Sequence, residues 1–216
     1  QEIMMVIDHY MKSGEMVEAP VFTEGMISEA SAIHESYPEY LARELKQKIL
    51  ETDDNPFDSE YFTNIEHADA REEPMREDSP CIILATSGML EGGPVLEYFK
   101  NIAPDKKNKV LFVSYQVNGT LGRRVLDGSK QATMLGREGK VEVVTINCSV
   151  EKLDGFSGHS DYNQLMSFVQ RLRPKLRRVL VNHGERSKSK NLAMNIGRMY
   201  KVPAHFPQVQ EAIKLF

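Results

Sequence analysis

Strand-like and helix-like segments alternate regularly from Cys81 onward, and few architectures accommodate such an order. The strand-like apolar runs are "CIILAT", "KVLFVSY", "KVEVVTIN" and "RRVLVNHG". Between them lie amphipathic segments with helical spacing of their apolar residues, such as "PVLEYFKNI" and "YNQLMSFVQRL". Strands that alternate with helices of about 10–15 residues are typical of α/β proteins with parallel strands. We therefore predict an α/β fold with a mostly parallel sheet flanked by helices.

The first third of the chain is less regular. Apolar residues at helical spacing predict one helix at the start of the chain and more helix over residues 27–50, with a break at Pro38. Residues 53–79 lack sustained periodicity and contain prolines, which predicts that most of this segment is an exposed connection with at most short helical turns. At the other end of the chain, "PQVQEAIKLF" predicts a final strand.

The two cysteines bear on the compartment and on metal binding. Cys81 and Cys148 lie in apolar runs and neither has a CxxC partner. This pattern predicts buried thiols in a reducing cytosol, and it makes a disulfide framework or a cysteine zinc site an unfavourable interpretation. No apolar run reaches the ~18 residues that a membrane-spanning helix needs, so we predict no membrane partner.

The net charge of −4 conceals an uneven distribution along the chain. Residues 51–79 contain 11 acidic and 2 basic side chains, whereas residues 156–216 contain 11 basic and 3 acidic ones. Residues 106–140 contain 8 basic and 2 acidic side chains. Such asymmetry predicts a polyanionic partner for the basic portions. The alternative is a solvated surface on which charges cluster by chance.

Three glycine-rich loops each follow a strand and precede a helix: "ATSGMLEGGP", "SYQVNGT" and "GFSGHSDY". In open α/β sheets, ligands collect at the carboxyl ends of strands, where helix N-termini present free N–H groups. The residues that suit contacts with a phosphate are Ser87, Gly88, Gly92, Gly93, Ser157 and Gly158, although a single loop of this kind is more often a tight turn than a phosphate site. None of the loops matches the P-loop or the GxGxxG pattern, which weakens the hypothesis of a nucleotide-binding domain.

Two histidines have positions that suit chemistry. His183 ends the apolar strand "VLV", where an imidazole could ligate zinc, and His159 lies in a glycine–serine loop at a helix start, where it could act as general acid or base. The alternative is structural: His183 is a hydrogen-bonded histidine at a strand end, and Ser160 or Asp161 is only a helix N-cap. One histidine cannot hold a catalytic metal, and the sequence contains no HxHxDH or HExxH motif.

Four motifs in order resemble the β-CASP branch of the metallo-β-lactamase-fold nucleases. They are "ATSGMLEGGPVLEYF", "VLFVSYQVNGTLGRRVLDG", "FSGHSDYNQL" and "VLVNHGERSKSKNLA". The likeness covers nearly the whole chain and is greatest to archaeal relatives of the nuclease subunit of the cleavage and polyadenylation specificity factor. It implies a β-CASP domain over residues 1–150, followed by the C-terminal segment of a metallo-β-lactamase domain over residues 151–216.

The resemblance also assigns roles to residues. It implies that His159 is a general acid or a contact to the scissile phosphate, and that His183 is a ligand of one of two active-site zinc ions. The resemblance and the loops together predict a site of nine residues, two of which are His159 and His183. The other seven are predicted RNA or phosphate contacts: Ser157, Gly158, Ser160, Ser87, Gly88, Arg123 and Arg124.

The implied protein is a zinc-dependent endoribonuclease that hydrolyses RNA phosphodiester bonds in 3′-end processing, transcription termination or decay. The resemblance leaves open an additional 5′-to-3′ exonuclease activity, and it implies single-stranded RNA as substrate, a homodimeric parent protein and a cytoplasmic location. In this family the HxHxDH motif lies before the region that corresponds to residue 1. We therefore expect this chain alone to be nearly inactive, and the alternative function is a non-catalytic RNA-binding or assembly module.

Overall fold

A computed structural model describes residues 1–52, 54–76, 79–135, 139–156 and 158–215. The chain divides into two compact units, Gln1–Ser157 and Gly158–Phe216. The boundary predicted at residue 150, between a β-CASP domain and a metallo-β-lactamase segment, refers to the domains of a larger protein and stays a prediction.

Helices and strands alternate through both units. In the part of the chain that the structure describes, the α-helices are α1 (Glu2–Lys12), α2 (Ile27–Ser36), α3 (Arg43–Glu51), α4 (Glu73–Arg76), α5 (Val95–Ile102), α6 (Leu121–Leu126), α7 (Tyr162–Leu172) and α8 (Arg186–Tyr200). The strands in the same ranges are β1 (Val21–Glu24), β2 (Phe62–Asn64), β3 (Ile82–Ala85), β4 (Lys109–Phe112), β5 (Gln131–Leu135), β6 (Val141–Thr145), β7 (Ser149–Lys152), β8 (Val179–Leu180) and β9 (Ala204–His205).

Parallel pairing dominates the first unit. Strand β1 lies between β2 and β3 in a three-stranded parallel sheet, in which Val21 pairs with Ile82 and Glu24 pairs with Ala85. Strands β4 and β7 form a second parallel pair, and β5 and β6 form an antiparallel pair. The prediction of an α/β fold with mostly parallel strands is confirmed.

Two hydrophobic cores stabilise the first unit. In one, Ile7 and Met11 of α1 pack on Val21 of β1, because residues four apart share one face of a helix. The other joins α5 and α6 to strands β4, β5 and β6 and contains Leu90, Phe99, Ala103, Phe112, Leu121, Val125, Ala132, Met134, Val144, Ile146 and Cys148. Burial of apolar area at about 25 cal/mol per Å² is the main force that holds these elements together.

The second unit has a smaller core. Met166 and Val169 of α7 pack with Ile196 of α8, and the parallel pair β8–β9 lies against the same cluster. Helix α7 ends at Leu172 and is followed by a 3₁₀ turn that contains Pro174, a residue that disfavours continuation of an α-helix.

Two sequence-based predictions need correction at this level. The prediction of an exposed connection over most of segment 53–79 misses β2, which residues 62–64 contribute to the parallel sheet. The predicted strand in "PQVQEAIKLF" is not present in residues 207–215, where Glu211 accepts a hydrogen bond from the backbone of Gln208 instead.

Candidate functional site

Two of the three glycine-rich loops meet in the first unit. We call residues 86–94 the SGM loop and residues 114–120 the SYQ loop. Gln116, which is 1% exposed, donates from Nε2 to the carbonyl oxygen of Gly88 at 2.8 Å and to that of Ser114 at 3.1 Å. The Ser114 hydroxyl also donates to the Gly88 carbonyl oxygen, at 3.3 Å. These hydrogen bonds hold one loop against the other.

Glycine is required where the two loops touch. A Cβ atom on Gly88 would lie 2.5 Å from Ser114 Oγ, and one on Gly122 would lie 2.0 Å from Gln116 Oε1 and 2.8 Å from the Met89 carbonyl oxygen. All three distances are below van der Waals contact. Gly88, which the sequence indicated for close approach to an anion, therefore serves close approach of the two loops to each other.

The first turn of α6 has its N–H groups already satisfied. Leu121 donates to Glu91 Oε1 at 2.6 Å, Gly122 donates to the Met89 carbonyl oxygen at 2.8 Å, and Arg123 donates to Thr120 Oγ1 at 3.2 Å. The expectation that this helix N-terminus offers free donors is wrong, because loop and side-chain acceptors use them. A phosphate at this position must therefore be bound by other groups.

The SGM loop keeps donors at its surface. Ser87 follows a cis peptide bond after Thr86, is half-buried, and its Oγ accepts a hydrogen bond from the N–H of Glu91 at 3.4 Å. Gly88 is exposed. Among the hydrogen bonds of the described residues, none uses the N–H of Gly88 or of Met89. These N–H groups and the serine hydroxyl form a small neutral donor surface.

The two predicted arginines differ in their surroundings. Arg123 makes a two-point ion pair with Asp127, from Nε to Oδ2 at 2.9 Å and from Nη2 to Oδ1 at 2.8 Å. Arg124 is exposed. Arg124 is thus the better placed of the two to offer its charge to a polyanion, since the charge of Arg123 is largely neutralised by its partner.

A buried polar cluster lies beside the SGM loop, and the sequence analysis missed it. Glu24 ends β1 and accepts two hydrogen bonds from Arg71 (Nε to Oε1 at 2.8 Å and Nη2 to Oε1 at 2.6 Å), while the Tyr98 hydroxyl donates to its Oε2 at 2.6 Å. Burial, followed by the hydrogen bond to the Glu24 carboxylate, raises the pKa of Tyr98. The next residue, Gly25, contacts Thr86 closely enough that a Cβ would lie 2.2 Å from Thr86 Oγ1. One feature of the sequence could have indicated this cluster: Arg71 is one of only two basic residues within the acidic segment 51–79.

The second unit contains His159 on the third glycine-rich loop. Gly158, His159 and Ser160 are all exposed, and Ser157 lies outside the described residues. Asp161 is the N-cap of α7, with its carboxylate accepting from the N–H of Gln164 at 2.8 Å in a reciprocal capping box. The N-cap interpretation is therefore right for Asp161, and Ser160 is left available for other contacts.

His183 lies just after β8, in the same unit. Its backbone has a φ of 60°, which is unusual for a residue with a side chain, and its N–H donates to Asn182 Oδ1 at 2.8 Å. The side chain of His183 is exposed. Gly184 approaches Ser189 so closely that a Cβ would lie 2.5 Å from its hydroxyl oxygen. The turn thus points an imidazole outward at the carboxyl end of a strand.

The described residues do not form a metal site on their own. Across residues 1–52, 54–76, 79–135, 139–156 and 158–215, no group of three or more His, Cys, Asp or Glu side chains could hold a metal ion. A catalytic zinc ion takes three protein ligands. His183 therefore fits the role of a single ligand and does not fit a complete site.

None of the helices in these same ranges is long and apolar enough to cross a membrane.

Two protein families match the chain. Residues 1–125 match the Beta-Casp domain, and residues 143–207 match the Zn-dependent metallo-hydrolase RNA specificity domain. Ser87 of the SGM loop and the two arginines of α6, Arg123 and Arg124, fall in the first match, and His159 and His183 fall in the second.

Curated relatives match over the whole chain. The transcription termination factor FttA of Cenarchaeum symbiosum is 81% identical over 216 residues, which are 100% of this chain and 34% of that protein. Proteins of the same name from Methanocaldococcus jannaschii and Pyrococcus horikoshii are each 45% identical over 215 residues, which cover 34% and 33% of their lengths.

The chain thus spans about a third of the length of the curated relatives it matches. The Beta-Casp domain match covers more than half of the chain, in the unit where the SGM and SYQ loops meet. This protein belongs to the β-CASP family of metallo-β-lactamase-fold ribonucleases.

Proposed function

We propose that this chain forms part of a zinc-dependent ribonuclease that hydrolyses phosphodiester bonds of single-stranded RNA. The observation that carries the proposal is the pair of exposed imidazoles, His159 and His183, in the region that matches an RNA specificity domain of zinc-dependent hydrolases. Hydrolysis of a phosphate ester requires groups that transfer protons and groups that bind metal, and imidazole can do either.

His159 is proposed as the residue that gives a proton to the leaving oxygen or holds the scissile phosphate. Its loop ends at the capping box of α7, so the backbone two residues beyond it is fixed, and the residue itself is exposed. A positioned general acid contributes about 10²–10⁴-fold to a rate. Gly158, Ser160 and Ser157 are proposed to contact the phosphate in the same loop.

His183 is proposed as one ligand of a zinc ion whose other ligands come from outside the described residues. A histidine ligand needs an accessible ring nitrogen and a fixed backbone. The exposed side chain supports the first requirement, and the hydrogen bond between its N–H and Asn182 supports the second. We propose two zinc ions for the complete active site.

The first unit is proposed to bind the RNA backbone. Ser87 and the N–H groups of Gly88 and Met89 can donate to phosphate oxygens, and Arg124 adds a positive charge on the helix that follows the SYQ loop. Arg123 is assigned a smaller share, because binding phosphate would compete with its ion pair to Asp127. Phosphate contacts of this kind give affinity without sequence preference.

The wider role follows from the relatives. The similar archaeal proteins are named transcription termination factors, so we propose that the whole protein cleaves transcripts at or near their 3′ ends, in the cytoplasm and as a homodimer. We propose endonuclease activity as its principal mode of cleavage, with 5′-to-3′ exonuclease activity as a second mode.

The decisive experiment uses the full-length protein with single substitutions at the two histidines. His183→Ala is expected to lose zinc, measured by elemental analysis, together with RNA cleavage. His183→Asn serves as a second variant, because asparagine accepts a left-handed backbone and so removes the ligand without adding strain. His159→Ala is expected to keep its zinc and to cleave about 10²–10⁴-fold more slowly.

The matched control is His67→Ala, which removes an exposed histidine outside both loops and should change neither zinc content nor cleavage. Full zinc occupancy in both His183 variants would remove this residue from the ligand set. Unchanged cleavage in His159→Ala would remove the proton-transfer role.

A second candidate is a non-catalytic RNA-binding module, which the incomplete ligand set of the described residues favours for this chain taken alone. It is tested by titrating the 216-residue chain with single-stranded RNA at two salt concentrations. Binding through Z phosphates should weaken with log[salt] at a slope of about −0.7Z. An affinity that does not change with salt would exclude the basic surfaces as the binding site.

A further inference from the structure

An exposed aromatic side chain lies next to the proposed phosphate contacts. Tyr115 is 46% exposed, although its two chain neighbours are the residues that attach the SYQ loop to Gly88. Gln116 is fully buried, so its anchoring fixes the backbone on which Tyr115 stands. Among the described residues, Tyr115 is not one of those that form or border the core of this part of the chain. Its backbone is thus held in place, and its side chain lies at the surface.

Exposure alone does not distinguish this tyrosine, since Tyr40 is 84% exposed on a 3₁₀ turn far along the chain from both loops. What sets Tyr115 apart is its setting. Ser114 and Gln116, the chain neighbours of Tyr115, donate hydrogen bonds to the Gly88 carbonyl oxygen, and no hydrogen bond of the described residues uses the Gly88 N–H. The SYQ loop leads into α6, which carries Arg124. An exposed aromatic ring on a loop that joins a neutral anion donor to a cation suits a strand in which bases and phosphates alternate.

The chemistry of single-stranded RNA explains why such a ring would be kept at the surface. Unpaired bases expose π faces that stack on tyrosine, phenylalanine or tryptophan, and each stack contributes about 1–3 kcal/mol by alanine substitution. Duplex RNA keeps its bases stacked on each other, and it is recognised through its backbone and shallow groove. A stacking residue beside phosphate donors therefore selects unpaired strands.

We propose that Tyr115 is the stacking platform for one base of single-stranded RNA whose adjacent phosphate is bound at Gly88. The proposal rests on the proposed RNA-binding function and adds to it the residue that would select an unpaired strand. It assigns Tyr115 to substrate binding and gives it no part in bond cleavage.

The chain contains no tryptophan, so Tyr115→Trp introduces a single fluorophore at the proposed contact. Titration with an oligouridylate is expected to quench this fluorescence, because a base stacks directly on the indole ring. Inorganic polyphosphate, which has the charge but lacks bases, is expected to leave it unchanged. A Tyr40→Trp variant is the matched control and should respond to neither. Fluorescence that RNA leaves unchanged in Tyr115→Trp would overturn the proposal.

Binding measurements on the 216-residue chain separate the ring from the hydroxyl. Tyr115→Phe should bind oligouridylate as the unsubstituted chain does, whereas Tyr115→Ala should bind about 5- to 150-fold more weakly. Tyr40→Ala should show no loss. Thermal unfolding of each variant establishes that it is folded, and a duplex of the same length should bind Tyr115→Ala and the unsubstituted chain equally.

The outcomes distinguish failure of the proposed RNA-binding function from failure of the stacking proposal. If the unsubstituted chain does not bind RNA at any salt concentration, the proposed function fails in this chain. If it binds RNA with the expected salt dependence but Tyr115→Ala binds equally well, the stacking proposal alone fails. A chain in which Tyr115→Ala changes self-association and leaves RNA affinity intact would assign the ring to a contact between copies instead.

Discussion

Glu24 shows how a single buried carboxylate can organise an edge of a sheet. Its side chain is 9% exposed, and desolvation of such a group costs several kcal/mol unless it is paired and hydrogen-bonded. The Arg71 guanidinium and the Tyr98 hydroxyl supply that pairing from two other segments of the chain. The cluster therefore joins the acidic segment and α5 to the end of β1, directly beside the SGM loop.

We expect Arg71→Met to destabilise the protein by about 3–5 kcal/mol, because it leaves the buried Glu24 carboxylate with one donor. Tyr98→Phe removes a hydroxyl and leaves the ion pair, so its expected cost is about 1–3 kcal/mol. Urea unfolding followed by circular dichroism measures both.

The other cation of the acidic segment is the control for this prediction. Arg76 forms an exposed ion pair with Glu72 one helical turn away, and such pairs contribute about 0–1 kcal/mol. Equal losses in Arg71→Met and Arg76→Met would show that the Glu24 cluster is no stronger than a surface ion pair.

At the scale of residues, the sequence indicated which side chains are chemically able to act, but it did not indicate which residues they contact. A histidine at a strand end and an arginine at a helix start can be recognised from the sequence alone. The contact of Glu24 with Arg71 joins residues 47 positions apart, and no local pattern encodes it. The ion pair that neutralises much of the Arg123 charge is an i,i+4 contact to Asp127 and could have been predicted from spacing.

At the scale of elements, the start of α7 is the best-defined boundary near the candidate site. Asp161 and Gln164 exchange hydrogen bonds between side chain and backbone in both directions. The capping box satisfies donors of the first turn that would otherwise face solvent. Because His159 lies only two residues before this cap, fraying of α7 would also release the loop that carries the imidazole.

We expect Asp161→Ala to destabilise the second unit by about 1 kcal/mol, within a range of about 0.5–2 kcal/mol for loss of an N-cap. Amide exchange in the first turn of α7 should accelerate correspondingly. Ser160→Ala changes the adjacent residue without touching the cap and is expected to leave exchange unchanged. The same acceleration in both variants would mean that the box does not control this helix end.

Helices were predictable from the sequence, and several strands were not. A helix such as α1 extends over three turns, so Ile3, Ile7 and Met11 repeat often enough to reveal their period. Strands β2, β5 and β7 have three to five residues, which is too short for alternation to stand out from chance. Strand β2 was further hidden in acidic sequence, and "KVEVVTIN" gave no sign that its partner would be antiparallel.

At the scale of the whole molecule, the two units have separate cores. The core of the second unit draws on residues of α7, α8 and the β8–β9 pair, all beyond residue 158. Only five apolar side chains are buried among its described residues (Met166, Val169, Ala193, Ile196 and Val202), so it has little apolar area to lose before its elements separate. Its stability should therefore be the more sensitive of the two to a single core substitution.

We expect Ile196→Ala to destabilise the second unit by about 2–5 kcal/mol, because Ile196 is 1% exposed and its removal leaves a cavity. Hydrogen exchange should increase in α7 and α8, with little change in β4 and β7. Met194→Ala is the control on the same helix, since Met194 is 63% exposed, and it should cost less than about 0.5 kcal/mol. Increased exchange throughout the chain would show that the units unfold together.

The loops of the candidate site could be recognised in the sequence, the roles of their residues stay predictions, and the arrangement of the loops could not be predicted. Three similar loops could be recognised because strand, glycine and helix follow one another in each. Which loops would meet depended on Gln116, a polar residue whose burial no periodicity indicates. The close contact between these two loops also leaves no room for a Cβ atom at Gly88, where the sequence had instead indicated close approach to an anion.

The fixed pairing of the SGM and SYQ loops also has a thermodynamic consequence for recognition. Because Gln116 and the Met89–Gly122 hydrogen bond hold the loops in one arrangement before any ligand arrives, little of their conformational entropy remains to be lost when a strand binds. Binding at this surface should then be fast and should need no induced fit of the protein. Most of the conformational entropy that is lost on binding should then be lost by the RNA.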